Sequence, residues 1–355
     1  MKTETQAAAE NPGSDGQWAV LAAVRFLLAF IILIDHAGPW VGIPGWLYAL
    51  ETRVGHPAAM IGFFLISGYS ICHSVQRPEG FYRRRLTRLY PLYITSIVIA
   101  AIPFLLFGFA FETRSSIIHA PRTVWPFIGH ALFLQGVASD WIMTNTALWS
   151  LSVEVIYYLF APLFHRQKSH VLLIFTAAST AAYLGRNALG LKISPHGVYG
   201  ETAALLLWCW LLGFLAYRHR QERWMQILLI VGATALLPLY QPGSNPEFGA
   251  GLICAVCFAI LFSPPALNAR FAKVALYLGD VSYPLYVSHF PLMLLLTVGL
   301  PWLPWWSVLA GIIAGAVLLL HGVDYPYRRY QKAKAVHAAN RRAREHLAVH
   351  PSNIS

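Results

Sequence analysis

Apolar runs broken by short polar loops recur along the whole chain, and their lengths are those of bilayer spans rather than of soluble helices. Runs long enough or nearly long enough to cross fall at about 18–39, 56–76, 89–110, 147–164, 170–187, 200–217, 224–240, 248–263, 275–297 and 303–323. An eleventh run, 124–138, is short and follows Pro121. Its status sets the orientation of everything after it. Loop charge decides the matter, because cytoplasmic loops accumulate Lys and Arg. If 124–138 does not cross, 20 of the 26 Lys and Arg fall on the side of both termini, five fall on the other side, and Arg25 lies inside a span. Letting it cross mixes the basic loops between sides. The expected fold is therefore all-α and integral to the membrane, with ten transmembrane helices and one additional short re-entrant or surface helix at 124–138.

Composition agrees with that reading. Hydrophobic residues make up 57% of the 355 and charged residues only 12%, with a mean hydropathy of +0.53, whereas soluble domains carry about a quarter charged. The net charge of +11 is explained by topology and calls for no nucleic acid. Residues 1–17 are polar and lack the basic start and cleavage site of a signal peptide, so they are expected to form a cytoplasmic segment before an uncleaved first helix. A single membrane domain, 18–326, then leads to a basic tail, 327–355, suited to anionic lipid. Both termini are expected in the cytoplasm of a multi-pass protein of the cytoplasmic (inner) membrane. Cys72, Cys209, Cys254 and Cys257 all lie in apolar runs, and the C-x-x-C of the last two has no second pair nearby. No metal is expected.

Ionisable groups inside the spans carry the candidate chemistry. Arg25 and His36 are eleven positions apart in RFLLAFIILIDH, which brings them to within roughly 20° of one helix face and about 16 Å apart along the axis. Lipid solvates neither group, so such side chains face a protein interior and mark a functional path. Asp35 is adjacent to His36 but points about 100° away. Glu154, in LWSLSVEVIYY, is the better candidate to fix the His36 tautomer for general-base work on a hydroxyl. Asp280 and His289 in GDVSYPLYVSHFP, and His321 with Asp324, are further groups at depth.

The stretch FYRRRLTRLYPLY places Arg85 and Arg88 three apart, flanked by Arg83 and Arg84. Guanidiniums there suit a diphosphate clamp, and they equally suit a topology signal. Ser67 and Gly68 in FFLISGYS form a small pair that permits close helix packing or a local break. Tyr283, Tyr286 and the PWLPWW stretch fit either a sugar-facing aromatic surface or an interfacial belt.

Taken in order, Arg25-x10-His36, FFLISGYS, FYRRRLTRLYPLY, LWSLSVE and GDVSYPLYVSHFP give a chain that resembles the membrane acyltransferase-three family of O-acyltransferases over about 18–326. The resemblance implies ten helices that take an acyl group, commonly acetyl, from cytoplasmic acetyl-CoA or another acyl-CoA. The acceptor it implies is a hydroxyl of an extracytoplasmic carbohydrate or glycolipid. It implies His36 as the catalytic histidine, Arg25 as its paired base, Arg85 and Arg88 with Arg84 on the CoA side, and Glu154 as the acidic residue of its motif. Ser67, Gly68, Ser282, Tyr283 and His289 match motif positions, the first two toward acyl-CoA binding and the last three toward acceptor binding. VDYPYRR stands where VEKPFRR is the pattern, so Asp324 replaces a glutamate and is expected to weaken a helix-end ion pair. Some relatives carry a fused SGNH-type esterase segment. Here transfer is expected to be completed by the membrane domain or by a separate partner. Acceptor choice is expected to reside in the loops 40–55, 111–146 and 188–199, which leave open a surface polysaccharide or a small glycosylated or macrolide-like metabolite. A proton-coupled transporter is the rival class, and it predicts no dependence on CoA.

Overall fold

Each of the ten apolar runs contains a helix in a computed structural model that describes residues 15–186, 188–191, 200–235, 246–262 and 267–349. The first is α1 (Asp15–Val41), followed by the short α2 (Gly45–Val54), α3 (His56–Val75) and α4 (Phe81–Phe107). A two-stranded antiparallel hairpin, β1 (Ala110–Glu112) with β2 (Ile117–His119), and the short α5 (Trp125–Ala131) come next. A 3-10 turn, Met143–Leu148, feeds α6 (Trp149–Arg166), and α7 (Ser169–Gly185), α8 (Glu201–Arg218), α9 (Arg223–Ala235) and α10 (Pro246–Leu261) follow. The chain closes with α11 (Ala269–Gly299), α12 (Trp305–Leu319), a π-helical turn Leu320–Asp324 and α13 (Tyr325–Val349).

Six helical stretches are long and apolar enough to cross a membrane among the described residues: Gly16–Val41, His56–Val75, Phe81–Phe107, Met143–Arg166, Ala269–Gly299 and Trp305–His337. The remaining expected spans fall on shorter apolar helices and on α8, which is buried nearly all round. At seven residues, α5 is only about 10 Å long and too short to cross. The loop behind it is tied into the bundle instead. Gln135 donates to Tyr93 Oη at 2.8 Å and to the Leu148 carbonyl at 2.9 Å, and Phe133 stacks on Tyr93. Sequence reading missed α2 and the hairpin, both within stretches read as loops. The expected loop 188–199 and Lys192 lie largely outside the described residues.

The apolar core has two halves. One joins α3, α6, α8, α9 and α10 around Trp208, Trp210 and Phe214; the other joins α4, α11, α12 and the hairpin around Leu285, Phe290 and Ile312. α1 contributes to both, through Leu28 and Ile32 on one side and Leu33 and Ala37 on the other. Helix α3 meets α8 backbone to backbone. A Cβ on Gly68 would fall 1.9 Å from the Trp210 carbonyl oxygen, and one on Gly213 would fall 2.0 Å from that of Leu65. Only glycine permits that approach. Phe63, Val155, Tyr283 and Tyr286 border both halves, and three of the four line the cavity at the seam between them.

Candidate active site

Three cavities lie end to end along that seam. A basic vestibule, lined by Trp18, Arg77, Arg84 and others, shares Arg25, Ser70, Arg85 and Arg88 with a central cavity. The central cavity in turn shares Ile32, Met60 and Tyr286 with an outer cavity that contains His36 and Asp35. Arg25 and His36 therefore line neighbouring cavities along α1.

Helix entry builds the vestibule. Arg77 lies in the turn after α3, and Gly80, with φ at 64°, reverses the chain so that α4 begins with its arginines facing back toward α3. Arg84 donates to the Glu79 and Arg77 carbonyls and so stiffens that turn. Arg85 donates to Ser74 Oγ at 2.5 Å and packs over the Phe81 ring. Both Arg25 and Arg85 keep a buried Nε–H without an acceptor. Buried donors are nearly always paired, so these two mark a place suited to anionic oxygens.

The middle of the path is polar on one wall. Glu154 Oε1 accepts from Ser67 Oγ at 2.7 Å and from Tyr158 Oη at 2.5 Å, and Trp210 Nε1 donates to Ser67 Oγ. This corrects the expected pairing: Glu154 belongs to a Ser67–Tyr158 network in the central cavity and does not hold His36. Ser282 and Tyr283 line the same cavity, where Ser282 Oγ caps the Gly279 carbonyl and Tyr283 Oη donates to the Leu89 carbonyl of α4. Neither reaches the outer cavity that holds His36. Gly68 is taken up by the α3–α8 contact and does not line the central cavity. Asp324 makes an ion pair at this helix end. The π turn carries it to Arg328 at 2.5 Å, and Arg328 reaches Asp280 at 2.9 Å.

His36 pairs with another histidine. Its Nδ1 lies 2.9 Å from His289 Nε2, with the two ring planes within 14° of parallel. His289 Nδ1 in turn lies 2.8 Å from the Tyr286 carbonyl and 3.2 Å from that of Leu285. A carbonyl only accepts, so His289 carries its proton on Nδ1 and offers the Nε2 lone pair. His36 must then donate through Nδ1–H, which leaves its own Nε2 as a lone pair. Pro291 helps to hold this stretch in place. Lacking an N–H, it leaves the Val287 carbonyl of α11 without its helical donor, and buried Asn145 donates to that oxygen at 2.9 Å. Asp35 pairs with His56 at the start of α3, at 3.4 Å. Sequence reasoning did not find His56, Tyr158 or Asn145, and it placed His289 with the acceptor. Pro291 was the available signal for a donor such as Asn145, since a proline inside a span frees a carbonyl that something must satisfy.

A path with arginines at one end and a histidine lone pair toward the other suits group transfer, and family membership decides the class. The acyltransferase domain family matches residues 18–320. The chain belongs to this acyltransferase family. It is an O-acyltransferase and a multi-pass membrane protein. Relatives include a protein carrying an acetyltransferase name, ORF330 of Acidianus two-tailed virus, 25% identical over 82% of this chain and 80% of its own. Nodulation protein 10 of Rhizobium leguminosarum bv. viciae is 22% identical over 89% of this chain and 95% of its own. Acyltransferase MdmB of Streptomyces mycarofaciens is 30% identical over about a third of each chain (32% and 30%). No solved structure matches this acyltransferase.

Proposed function

We propose that this acyltransferase moves an acetyl group from cytoplasmic acetyl-CoA to a hydroxyl of an extracytoplasmic carbohydrate, such as a surface polysaccharide or lipopolysaccharide sugar, in the cytoplasmic membrane. One observation supports the reading: the arginine vestibule, the central cavity and the cavity that His36 lines adjoin one another through shared lining residues beside α1. Arg77, Arg84, Arg85 and Arg88 meet the CoA phosphates, where planar guanidiniums bind bidentately. The pantetheine arm passes Arg25 and the Glu154–Ser67–Tyr158 wall, whose hydroxyls and carboxylate suit its amides. Arg25 to His36 is about 16 Å along α1, a reach comparable to that arm.

At the far end the acceptor hydroxyl meets His36 Nε2. As its oxygen attacks the thioester carbonyl carbon, the proton passes to Nε2, the C–S bond breaks, and the C–O ester bond forms. The imidazolium then returns that proton to the departing CoA sulfur. His289 Nε2 accepts from His36 Nδ1–H throughout, so the ring keeps its orientation as it charges. His289 is thereby a positioning residue, and the mechanism uses neither Glu154 nor a metal in the proton transfer.

The test uses purified protein in detergent, reading acetyl-CoA binding and slow CoA release. Wild type is expected to bind acetyl-CoA, Arg85→Ala to lose that binding, and His36→Ala to keep it while CoA release stops. Monodisperse wild type that binds no acetyl-CoA would overturn the reading and favour a transporter.

A further inference from the structure

Acyl transfer puts negative charge on an oxygen that the histidine pair does not serve. When the acceptor oxygen adds to the thioester carbonyl carbon, the carbonyl oxygen becomes an oxyanion, and a fixed donor aimed at it is commonly the largest single contribution to rate. That donor must stand where the thioester and His36 meet, which is where the central and outer cavities adjoin. Ile32, Met60 and Tyr286 line both, and of these three side chains only Tyr286 has a hydrogen to give. Ser67, Tyr158, Ser282 and Tyr283 also line the central cavity, but they spend their protons on Glu154 and on the Gly279 and Leu89 carbonyls.

The Tyr286 hydroxyl sits between one residue of each cavity. Its Oη lies 3.0 Å from the carbonyl of Ala147, which lines the outer cavity, and 2.6 Å from the Oγ of Ser150, which lines the central one. A phenol has one proton and the carbonyl only accepts, so Ser150 is the donor in the shorter contact. A hydroxyl that accepts such a bond donates a stronger one. The ring is held between Phe63 and His289, at 5.6 and 6.1 Å between centroids, and the Tyr286 carbonyl takes the Nδ1 proton of His289. The residue that orients the histidine pair thus also carries this hydroxyl. We propose that Tyr286 is a catalytic residue that donates its O–H to the thioester carbonyl oxygen as that oxygen becomes an oxyanion, with Ser150 as its positioning residue. Turning the O–H from Ala147 to the substrate gives up a neutral hydrogen bond for one to a charged oxygen, which is roughly twice as strong. Tyr286 keeps its proton throughout: the electron pair on the oxyanion re-forms the carbonyl as the C–S bond breaks, and the sulfur takes its proton from His36. This rests on the acetyl-CoA reading above and goes beyond it by supplying the group that stabilises the intermediate.

The experiment is infrared spectroscopy of the full-length protein with bound acetyl-dethia-CoA, isotopically labelled at its acetyl carbonyl. A methylene replaces the sulfur, so no transfer occurs and the carbonyl band reports the hydrogen bond it accepts. Wild type is expected to move the band to lower frequency than in buffer. Tyr286→Phe is expected to lose that shift and Ser150→Ala most of it, while both still bind the analogue. CoA release from acetyl-CoA is expected to fall about 10²–10³-fold in Tyr286→Phe and about tenfold in Ser150→Ala. Loss of the tie between α11 and α6 lowers the melting temperature whether or not the hydroxyl meets substrate, so the band decides. Equal frequencies in wild type and Tyr286→Phe overturn the proposal. Should Tyr286→Phe fail to fold, Ser150→Ala carries the test, because it keeps the Tyr286 bond to Ala147, and a wild-type band there overturns the proposal equally. Acetyl-CoA binding by wild type, measured on the same sample, keeps the two readings apart: binding with an unmoved band sinks only the role of Tyr286, whereas no binding sinks the acetyl-CoA reading and this one with it.

Discussion

At the scale of single residues the site turns on one hydrogen bond that no sequence pattern announces. The sequence placed Arg25 and His36 on one face, and helical geometry alone made that inference sound. It also paired His36 with Glu154, because a carboxylate is the commonest orienting partner of an imidazole. The structure gives that task to His289, 253 positions away, since α1 packs along α11 and the Tyr286 carbonyl takes the far proton. Which helices touch is a tertiary fact, so the identity of the partner was out of reach. His289→Ala is expected to lower kcat by roughly 10²-fold or more, with acetyl-CoA affinity near wild type and a lower melting temperature, because His289 is fully buried. Added imidazole should restore part of the lost kcat, because the missing group is a ring acceptor for His36. Wild-type kcat in that variant would return the orienting role to another residue.

At the scale of elements the apolar runs were legible because bilayer length and hydropathy are local properties. The short elements were not: the three-residue strands of the hairpin and the ten residues of α2 are held by neighbours, not by their own pattern. Gly68 shows the same divide. A small residue beside Ser67 reads as packing more readily than as a break in a span, but only the Trp210 carbonyl lying across it shows which helix it packs against. Gly68→Ala forces α3 and α8 apart, since backbone atoms on both sides have no rotamer to yield. The expected cost is about 1–3 kcal/mol, seen as a lower melting temperature and as weaker acetyl-CoA binding, because Ser67 and Ser70 ride on the same helix. Gly213→Ala should do the same from the other side. A thermal stability equal to wild type in both variants would mean that the two helices do not meet this closely in the bilayer.

At the scale of the whole molecule, function depends on which end of the path faces which compartment. If all ten apolar runs cross, the loop charges are expected to put 20 of 26 bases on the vestibule side, and acyl-CoA is expected only in the cytoplasm, so the two arguments must agree. The protein supplies its own means of checking. Cys72, Cys209 and Cys257 are buried and only Cys254 is exposed, so Cys254→Ser gives a background nearly silent to a membrane-impermeant maleimide. Helix α4 runs from the vestibule arginines to the hairpin, 27 residues or about 40 Å, so exposed Ser115 at the hairpin tip marks the opposite end. Exposed Lys334 in α13 lies two turns beyond Arg328, which lines the central cavity. Ser115→Cys should label in intact cells and Lys334→Cys only after lysis. The inverse pattern would turn the arginines away from the only pool of CoA and leave His36 facing the cytoplasm. No choice of acceptor could then rescue the proposed direction of transfer.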